Sequence, residues 1–230
     1  MSNVDRKRFL GLSAAAAGAL GAKQLFGVGG VDAAIMKPGQ FDQTFLTKKA
    51  DIKQVWDFTS TDQAQTGIGA MKNAMNAFQF SYLKSHYLLI VLRGPSAVVY
   101  GMNDAMWAKY GLGAKYQIFD QARGAYATHN PLYPRTTSGN GKLDPNDQKS
   151  LFEDASLQAL QQRGAFVVVC HDALEGQARL AVRDKRAHGM TMARVYADMA
   201  AHLIPGAEAT PSGSSVIAIA QMDGFTYAKQ

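Results

Sequence analysis

The sequence predicts an α/β fold, in which helices flank a central, mostly parallel sheet of about five strands. Two short apolar runs, at residues 87–92 and 166–169, lack the alternation of a strand with one exposed face, so both strands are expected to be buried on both faces. Segments with apolar residues at helical spacing separate the predicted strands. Buried strands that alternate with helices indicate parallel pairing through right-handed crossovers.

The first half of the chain contributes two strands and a long helix. The helix is amphipathic, and its apolar face is formed by Ile68, Met71, Met75, Phe78 and Tyr82. In chain order the predicted elements are a strand at 52–58, this helix, the buried strand at 87–92, a short third strand at 97–100, a helix around 105–110 and a short helix near 116–123.

The second half returns to the same alternation of strands and helices. Its predicted elements are a polar surface segment at 136–141, a helix at 147–163, the buried strand at 166–169, a helix from Asp172, a second helical run ending near Leu203, a strand at 207–210, a helix at 214–221 and a last strand at 225–228.

The composition divides the chain into three parts. Residues 1–33 are a predicted export signal, residues 34–50 an extended lead-in, and residues 51–230 a single α/β domain. Residues 101–150 depart from simple alternation, and we interpret them as an insertion, which beside an α/β sheet often forms a lid or an oligomer contact. The chain has no glycine fingerprint for dinucleotides or nucleoside triphosphates, and no cofactor is predicted.

The amino-terminal segment has the features of an export signal. Basic residues within 6–10 precede an apolar, small-residue run at 11–22, which is too short for an ordinary membrane span. The segment resembles a twin-arginine (Tat) signal, with Arg6-Lys7 in place of two arginines. Residues 31–33 are a weak cleavage site, so the signal is either removed or kept as an uncleaved membrane anchor. The resemblance implies a periplasmic protein that meets the Tat translocase after folding.

The charge of the chain bears on its partners. The formal charge is +6, and removal of residues 1–33 lowers it to +4, which is a mild cationic balance. The chain has no dense Lys/Arg stripe of the kind that nucleic-acid-binding proteins use, so nucleic acid is not a predicted partner. No other apolar run reaches the roughly 18 residues of a spanning helix, so we predict no stable membrane span once the signal is removed.

Cys170 is the only cysteine, and it follows the buried strand at 166–169. The next residues predict a helix start, with Asp172 as the N-cap and Glu175 reaching back to it. A thiol at the carboxyl end of a central strand lies where ligands bind in open α/β sheets, beside backbone N–H groups that favour a thiolate. The alternative is a small hydrophobic residue of the core. In an oxidising compartment a lone cysteine is inert, pairs with another chain, binds a ligand or carries a modification.

Three segments resemble the DsrE/DsrF-like family. The strongest match is the tail at 203–228, with Leu-Ile-Pro-Gly, Pro-Ser-Gly, an apolar helix and Gly-Phe-Thr-Tyr-Ala in the order that family members share. Arg93-Gly94-Pro95 is similar to their His-Gly-Pro after the second strand. The segment at 169–174, Val-Cys-His-Asp-Ala-Leu, is similar to their Val-Cys-x-Asn-Ala-Leu. The resemblance is absent from residues 101–150.

The resemblance implies a flavodoxin-like domain that assembles into homo-oligomers and belongs among sulfur-relay proteins. It implies that Cys170 accepts sulfane sulfur as a persulfide, with small sulfur species or a sulfur-donor protein as partner, so that any activity is that of a sulfurtransferase-like carrier. Arg93 and His171 are the candidate binding residues. Arg93 would steady the sulfur anion or bind a thiosulfate-like oxyanion, and His171 would shuttle protons or ligate a metal. The chain departs from the family pattern where Arg93 replaces histidine and Asp172 replaces asparagine.

Two other interpretations stay open. In the first, the chain is a non-enzymatic oligomeric binding or assembly module, in which Cys170 is buried and residues 101–150 form the interface. Separately, His129 of this insertion is a candidate lid residue. In the second, it is a periplasmic copper-binding protein. Nitrogen and thioether ligands suit copper, and four such residues fall near one helix face, namely His188, Met192, Met199 and His202.

Overall fold

A central parallel sheet dominates the computed structural model, which describes residues 41–133 and 155–229. Within these residues the strands are β1 (Ile52–Phe58), β2 (His86–Leu92), β3 (Phe119–Asp120), β4 (Ala125–Tyr126), β5 (Ala165–Cys170), β6 (Ala207–Thr210) and β7 (Thr226–Lys229). Five of them form one sheet in the order β6-β5-β2-β1-β7, and every neighbouring pair is parallel. The predicted α/β class, with a parallel sheet of five strands and a flavodoxin-like arrangement of helices around it, is confirmed.

Helices connect the strands. The described α-helices are α1 (Thr61–Asn76), α2 (Asp104–Lys109), α3 (Leu112–Lys115), α4 (Leu157–Gln162), α5 (His171–Arg183), α6 (Met192–Ala201) and α7 (Gly213–Met222). Side-chain caps fix where four of them begin, because Ser60, Asn103, Ser156 and Thr191 each accept a hydrogen bond from a backbone N–H of the first turn.

The two faces of the sheet are buried in separate clusters of apolar residues. Leu88, Ile90 and Leu92 face a large cluster that includes side chains of α1, α5 and α6. Leu89 and Val91, which point the opposite way because side chains alternate along a strand, face a smaller cluster that includes α7. Burial on both faces explains why the central strands read as continuous apolar runs.

The predicted third strand at 97–100 is wrong. Residues Val98–Gly101 form a 3-10 turn, in which the Val98 N–H donates to the Gly94 carbonyl and the Tyr100 N–H to the Ala97 carbonyl. Gly94 reverses the chain directly after β2, with φ at +87°, and a Cβ there would come within 2.5 Å of the Thr59 carbonyl oxygen. The chain is therefore turned away from the sheet before the apolar residues begin, and they are buried without strand pairing.

The short helix predicted near 116–123 is also wrong. The helical turn lies earlier, at α3, and residues 119–126 form the β3–β4 hairpin. The Asp120 carboxylate accepts hydrogen bonds from the N–H groups of Ala122 and Arg123, which stabilises the turn of the hairpin.

The long amphipathic helix ends before its predicted apolar face does. Helix α1 stops at Asn76, and Ala77–Ser81 form a π-turn. Ile68, Met71 and Met75 are fully buried, whereas Tyr82 is 67% exposed and does not belong to the core. The change from α to π geometry rotates Tyr82 off the buried face.

The described part of the lead-in is not fully extended. Residues Thr44–Thr47 form a 3-10 turn whose Phe45 and Leu46 are buried against the face of the sheet that α7 covers. Of the helix predicted at 147–163, the structure describes α4. The export signal at 1–33 and the polar segment at 136–141 lie outside the described residues.

The described part of the insertion, residues 101–133, packs into the core. Met106, Trp107 and Tyr110 are buried, and the Trp107 indole N–H donates to the Val99 carbonyl at 3.0 Å. The Tyr116 hydroxyl lies 3.0 Å from the Pro95 carbonyl and 2.6 Å from Gln177 Oε1, so the insertion supports the loop that follows β2. Within residues 41–133 and 155–229, no helix has the length and apolar character needed to cross a bilayer.

Candidate functional site

Cys170 is the last residue of β5, at the carboxyl edge of the sheet, as predicted. The helix start that was predicted beside it is wrong in detail. Cys170 itself occupies the N-cap position of α5, with φ −69° and ψ 122°, and the helix begins at His171 with no side-chain cap. Asp172 lies in the first turn, where its carboxylate is exposed, and Glu175 pairs with Arg179 at 3.3 Å instead of reaching back.

The Cys170 sulfur receives a hydrogen bond from a second helix. Cys170 is 5% exposed, and the backbone N–H of Gly213 donates to Sγ at 3.2 Å. Gly213 is the first residue of α7, whose N-cap residue, Ser212, makes no side-chain cap. Because the first N–H groups of a helix lack partners within the helix and carry partial positive charge, the amino end of α7 presents a hydrogen-bond donor and a positive potential to the Cys170 sulfur.

Glycine is required at position 213 because the backbone of α7 comes very close to β2. A Cβ on Gly213 would lie 2.7 Å from Arg93 Cβ, 3.1 Å from Arg93 Cδ and 3.3 Å from Val91 Cγ1. Contacts under 3.0 Å do not occur between carbon atoms of a packed protein, so any side chain would push α7 away from the sheet. The missing side chain of Gly213 is therefore what brings its N–H within reach of Cys170.

Arg93, the predicted anion-binding residue, is held by a buried carboxylate. Its Nε and Nη2 donate to Oδ1 and Oδ2 of Asp57, each at 2.6 Å, in a bidentate pair. The Asp57 side chain is 3% exposed, so its charge requires a partner, whereas the Arg93 side chain is 34% exposed. The hydrogen bond to Asp57 raises the pKa of Arg93 above its usual value, and nearby Tyr227 and Cys170 add to that rise.

Tyr227 completes this network from the edge strand β7. Its hydroxyl donates to Asp57 Oδ2 at 2.8 Å, and this hydrogen bond raises the pKa of Tyr227. Asp57 lies on β1, Arg93 follows β2, Cys170 ends β5 and Gly213 follows β6. All five strands of the sheet therefore contribute to one site at its carboxyl edge, the edge where open α/β sheets bind ligands.

A cavity of about 270 Å³ opens beside the sulfur. The side chains that decide its chemistry belong to Arg93, Cys170, Asp172, Ser212 and Ser214. A cysteine, an arginine, an aspartate, two serines and the amino ends of α5 and α7 thus meet at one opening. Cys170 therefore borders an open cavity although only 5% of its surface is exposed.

The structure does not bring His171 into the lining of this cavity. Its ring stacks on Tyr196 of α6, with 4.8 Å between the ring centres, and it is 9% exposed. Its Nδ1 is buried and makes no hydrogen bond. The side chain of His171 therefore contributes to the α5–α6 packing, while Arg93 and Cys170 share the cavity.

The other histidines that the sequence singled out lie elsewhere. His129 Nδ1 lies 3.8 Å from Asp120 Oδ2, next to the β3–β4 hairpin. His188 Nε2 lies 2.8 Å from the Lys109 carbonyl, and His202 Nδ1 lies 2.7 Å from the Asp198 carbonyl. Met199, from the copper hypothesis, is fully buried in the core. Among the described residues, no group of three or more His, Cys, Asp or Glu side chains could hold a metal ion.

A second, larger cavity of about 330 Å³ lies near Asn103, Tyr133 and Gln158. Among the described residues, its lining contains no thiol, histidine or basic side chain, and Asp104 is the one charged side chain. Although this cavity is the larger of the two, the chemistry of the lining favours the smaller cavity beside Cys170 as the functional site.

Sequence reasoning missed Asp57, Gly213 and Tyr227. A signal was available for Asp57, because an acidic residue inside an otherwise buried strand requires a partner of opposite charge. Gly213 and Tyr227 lie in the tail that resembles the DsrE/DsrF-like ending, but nothing in their spacing shows that they reach β1 and β5.

The fold and the site together define an α/β protein whose one cysteine lines a cavity at the carboxyl edge of its sheet, beside an arginine and two serines. No family model matches the chain, and a search of curated proteins gives no match. Among solved structures, the chain is similar to the protein of unknown function MTH1491 from Methanobacterium thermoautotrophicum, at 14% identity and a TM-score of 0.37. The alignment covers 78% of this chain and 100% of that one.

Proposed function

We propose that this protein carries sulfane sulfur as a persulfide on Cys170, in the manner of the DsrE/DsrF-like proteins that its tail resembles. The observation that supports this most is the hydrogen bond from the Gly213 N–H to Sγ beside an open cavity. A structural cysteine requires neither a helix N-terminus aimed at its sulfur nor access to a polar cavity. Both features suit a sulfur that attacks a donor as a thiolate and then holds the product as a persulfide, since a hydrogen-bond donor and a cavity serve both forms.

The transfer step is a thiolate–sulfur exchange. The Cys170 thiolate attacks a terminal sulfur of an inorganic polysulfide, a new S–S bond forms and the adjacent S–S bond of the donor breaks. The donor leaves as a polysulfide dianion that is one sulfur shorter, and Cys170 keeps that sulfur as an anionic persulfide. The total charge is conserved, and no separate oxidant or reductant is needed.

Intact mass spectrometry of the full chain tests this step. After incubation with inorganic polysulfide, we expect a mass increase of about 32 Da, which corresponds to one sulfur atom, and its loss on treatment with a thiol reductant. Cys170→Ser is the matched control and should gain no mass. An unchanged wild-type mass, or the same increase in Cys170→Ser, would overturn the proposal.

We further propose that the chain is exported through the Tat pathway to the periplasm and forms homo-oligomers there, with a sulfur-donor protein or small sulfur species as partner. The basic and apolar segments at 6–22 support export, and the tail at 203–228 supports the oligomeric family. Cell fractionation of the full chain, with and without substitution of Arg6 and Lys7 by alanine, tests the export. Recovery in the cytosolic fraction in both cases contradicts it, and sedimentation as a monomer contradicts the oligomer.

The low exposure of Cys170, at 5%, favours a second candidate function, that of a binding or assembly module in which the thiol is inert. The two candidate functions predict different masses for the native protein after incubation with polysulfide. The module predicts an unchanged mass in the folded state and a mass increase only after denaturation.

A further inference from the structure

The Asp57–Arg93 pair determines which charge the Cys170 cavity can accept. Arg93 is the basic residue of the cavity lining, and its guanidinium is paired through two 2.6 Å hydrogen bonds with a carboxylate that is 3% exposed. A buried carboxylate at this distance cancels most of the field of the cation. Arg93 therefore offers hydrogen-bond donors to the cavity but little net positive charge.

The other charges that residues 41–133 and 155–229 bring to the cavity leave no surplus for an anionic ligand. Asp172, whose side chain is exposed, also lines the cavity, and it forms no ion pair with a described residue. The amino ends of α5 and α7 contribute about half a positive charge each. Together they amount to about one positive charge, which the Asp172 carboxylate already balances, and the Gly213 N–H of α7 is already bound to the sulfur.

We propose that Asp57 is a specificity-determining residue of this cavity: by neutralising Arg93, it leaves a site that stabilises the sulfur anion of Cys170 but disfavours an anionic donor. Neutral sulfur donors are then preferred to oxyanions such as thiosulfate, and anionic donors, inorganic polysulfide among them, still react but more slowly than neutral ones. This inference rests on the proposed function, because it requires that Cys170 react from within the folded protein. Tyr227 helps to position the carboxylate through its 2.8 Å hydrogen bond.

The electrostatic potential at the sulfur can be measured by comparing the reaction rates of two thiol reagents of similar size and opposite charge. Sulfonatoethyl methanethiosulfonate is an anion, and trimethylammonioethyl methanethiosulfonate is a cation. With each, the Cys170 thiolate attacks the sulfenyl sulfur, forms a disulfide and releases methanesulfinate. The quantity of interest is the ratio of the cationic to the anionic rate constant in the full-length native protein, divided by the same ratio in the unfolded chain.

We expect this normalised ratio to be about 3 to 10 in the wild type at low salt, and to approach one as salt screens the charges. Asp57→Asn keeps an acceptor for Arg93 but removes the neutralising charge, so the ratio should fall by a similar factor. Arg93→Gln leaves Asp57 unpaired and should raise it. Asp223→Asn removes an exposed carboxylate near the opposite edge of the sheet and should leave it unchanged.

The outcomes separate the inference from the function on which it rests. If neither reagent labels the native wild-type protein, Cys170 is unreachable, and both the carrier function and the specificity fail. If both reagents label it with a normalised ratio of one or less, only the specificity fails. If Asp57→Asn does not fold, as judged by circular dichroism, Arg93→Gln decides, and an unchanged or lower ratio in that variant overturns the role of the pair.

Discussion

At the scale of single residues, the site depends on two close approaches that involve α7. The Gly213 N–H reaches the Cys170 sulfur, and the same residue lies against Arg93 with no room for a side chain. Cys170 and Arg93 were predicted because a thiol and a guanidinium are recognisable types at strand ends. Asp57 and Gly213 were not predicted, because their roles depend on which strands are neighbours. The strand order is a property of the whole sheet and cannot be read from either residue.

Gly213→Ala should destabilise the protein and loosen the contact with the sulfur. The added methyl group would lie 2.7 Å from Arg93 Cβ, so we expect a loss of about 1–3 kcal/mol of unfolding free energy, measured by urea denaturation. Gly69→Ala is the matched control, because Gly69 lies within α1 and a Cβ there meets nothing within 4 Å. It should stabilise by about 0.5–1 kcal/mol. Equal effects of the two substitutions would show that the close approach does not exist.

At the scale of elements, the parallel strands were predicted more accurately than the segments between β2 and α4. Strand β1 has the predicted bounds because its apolar run is bordered by polar turns. The segment at 97–100 has the composition of a strand and forms a 3-10 turn, since Gly94 has already reversed the chain. The apolar composition of this segment indicates that it is buried. Whether it forms a strand or a turn depends on the backbone conformation at Gly94, outside the segment.

Asn130 fixes the insertion to the core and should be sensitive to truncation. It is 1% exposed, and its amide donates to the carbonyls of Tyr100 and Met102 at 2.7 and 2.8 Å. Asn130→Ala leaves these buried acceptors unpaired, and we expect a loss of about 2–4 kcal/mol of unfolding free energy. Asn73→Ala, on the exposed face of α1, should cost nothing measurable. A loss below about 1 kcal/mol for Asn130→Ala would contradict this role.

Protonation of His86, at the amino end of β2, should make the protein less stable in mild acid. Burial lowers the pKa of His86 below 6.5, and nearby Arg163 adds to this effect. A histidine with a lowered folded-state pKa resists protonation in the folded protein, so stability is full above about pH 6.5 and falls as the pH drops toward the folded-state pKa. The unfolding free energy of His86→Gln should therefore fall less than that of wild type between about pH 7 and pH 5. Parallel curves would rule out His86 as the cause.

At the scale of the whole molecule, the two faces of the sheet are covered unequally. One face packs against α1, α5 and α6, and the other against α7 together with the turn at Thr44–Thr47. The sequence predicted the five-stranded parallel sheet, but it placed the start of the α/β domain at residue 51 and treated the preceding residues as a lead-in. Phe45 and Leu46 were overlooked because two apolar residues in a short segment show no periodicity.

Phe45→Ala tests whether this turn is part of the core. Phe45 is 4% exposed and stacks on Phe166 of β5 with 4.6 Å between the ring centres. We expect a loss of about 3–5 kcal/mol of unfolding free energy. Phe119→Ala, at an aromatic residue of the hairpin that is 48% exposed, should cost about 1 kcal/mol or less. Similar losses for the two variants would mean that residues 44–47 do not cover the sheet.

The most direct test concerns access to the one sulfur atom. The rate at which a small neutral thiol reagent labels the native full-length protein should be measured at denaturant concentrations below the unfolding transition. If the cavity gives direct access to Cys170, labelling proceeds without denaturant and its rate stays nearly constant as denaturant is added. If the rate instead extrapolates to almost zero in water and rises in proportion to the unfolded fraction, the sulfur is reached only through unfolding, and the carrier function is contradicted.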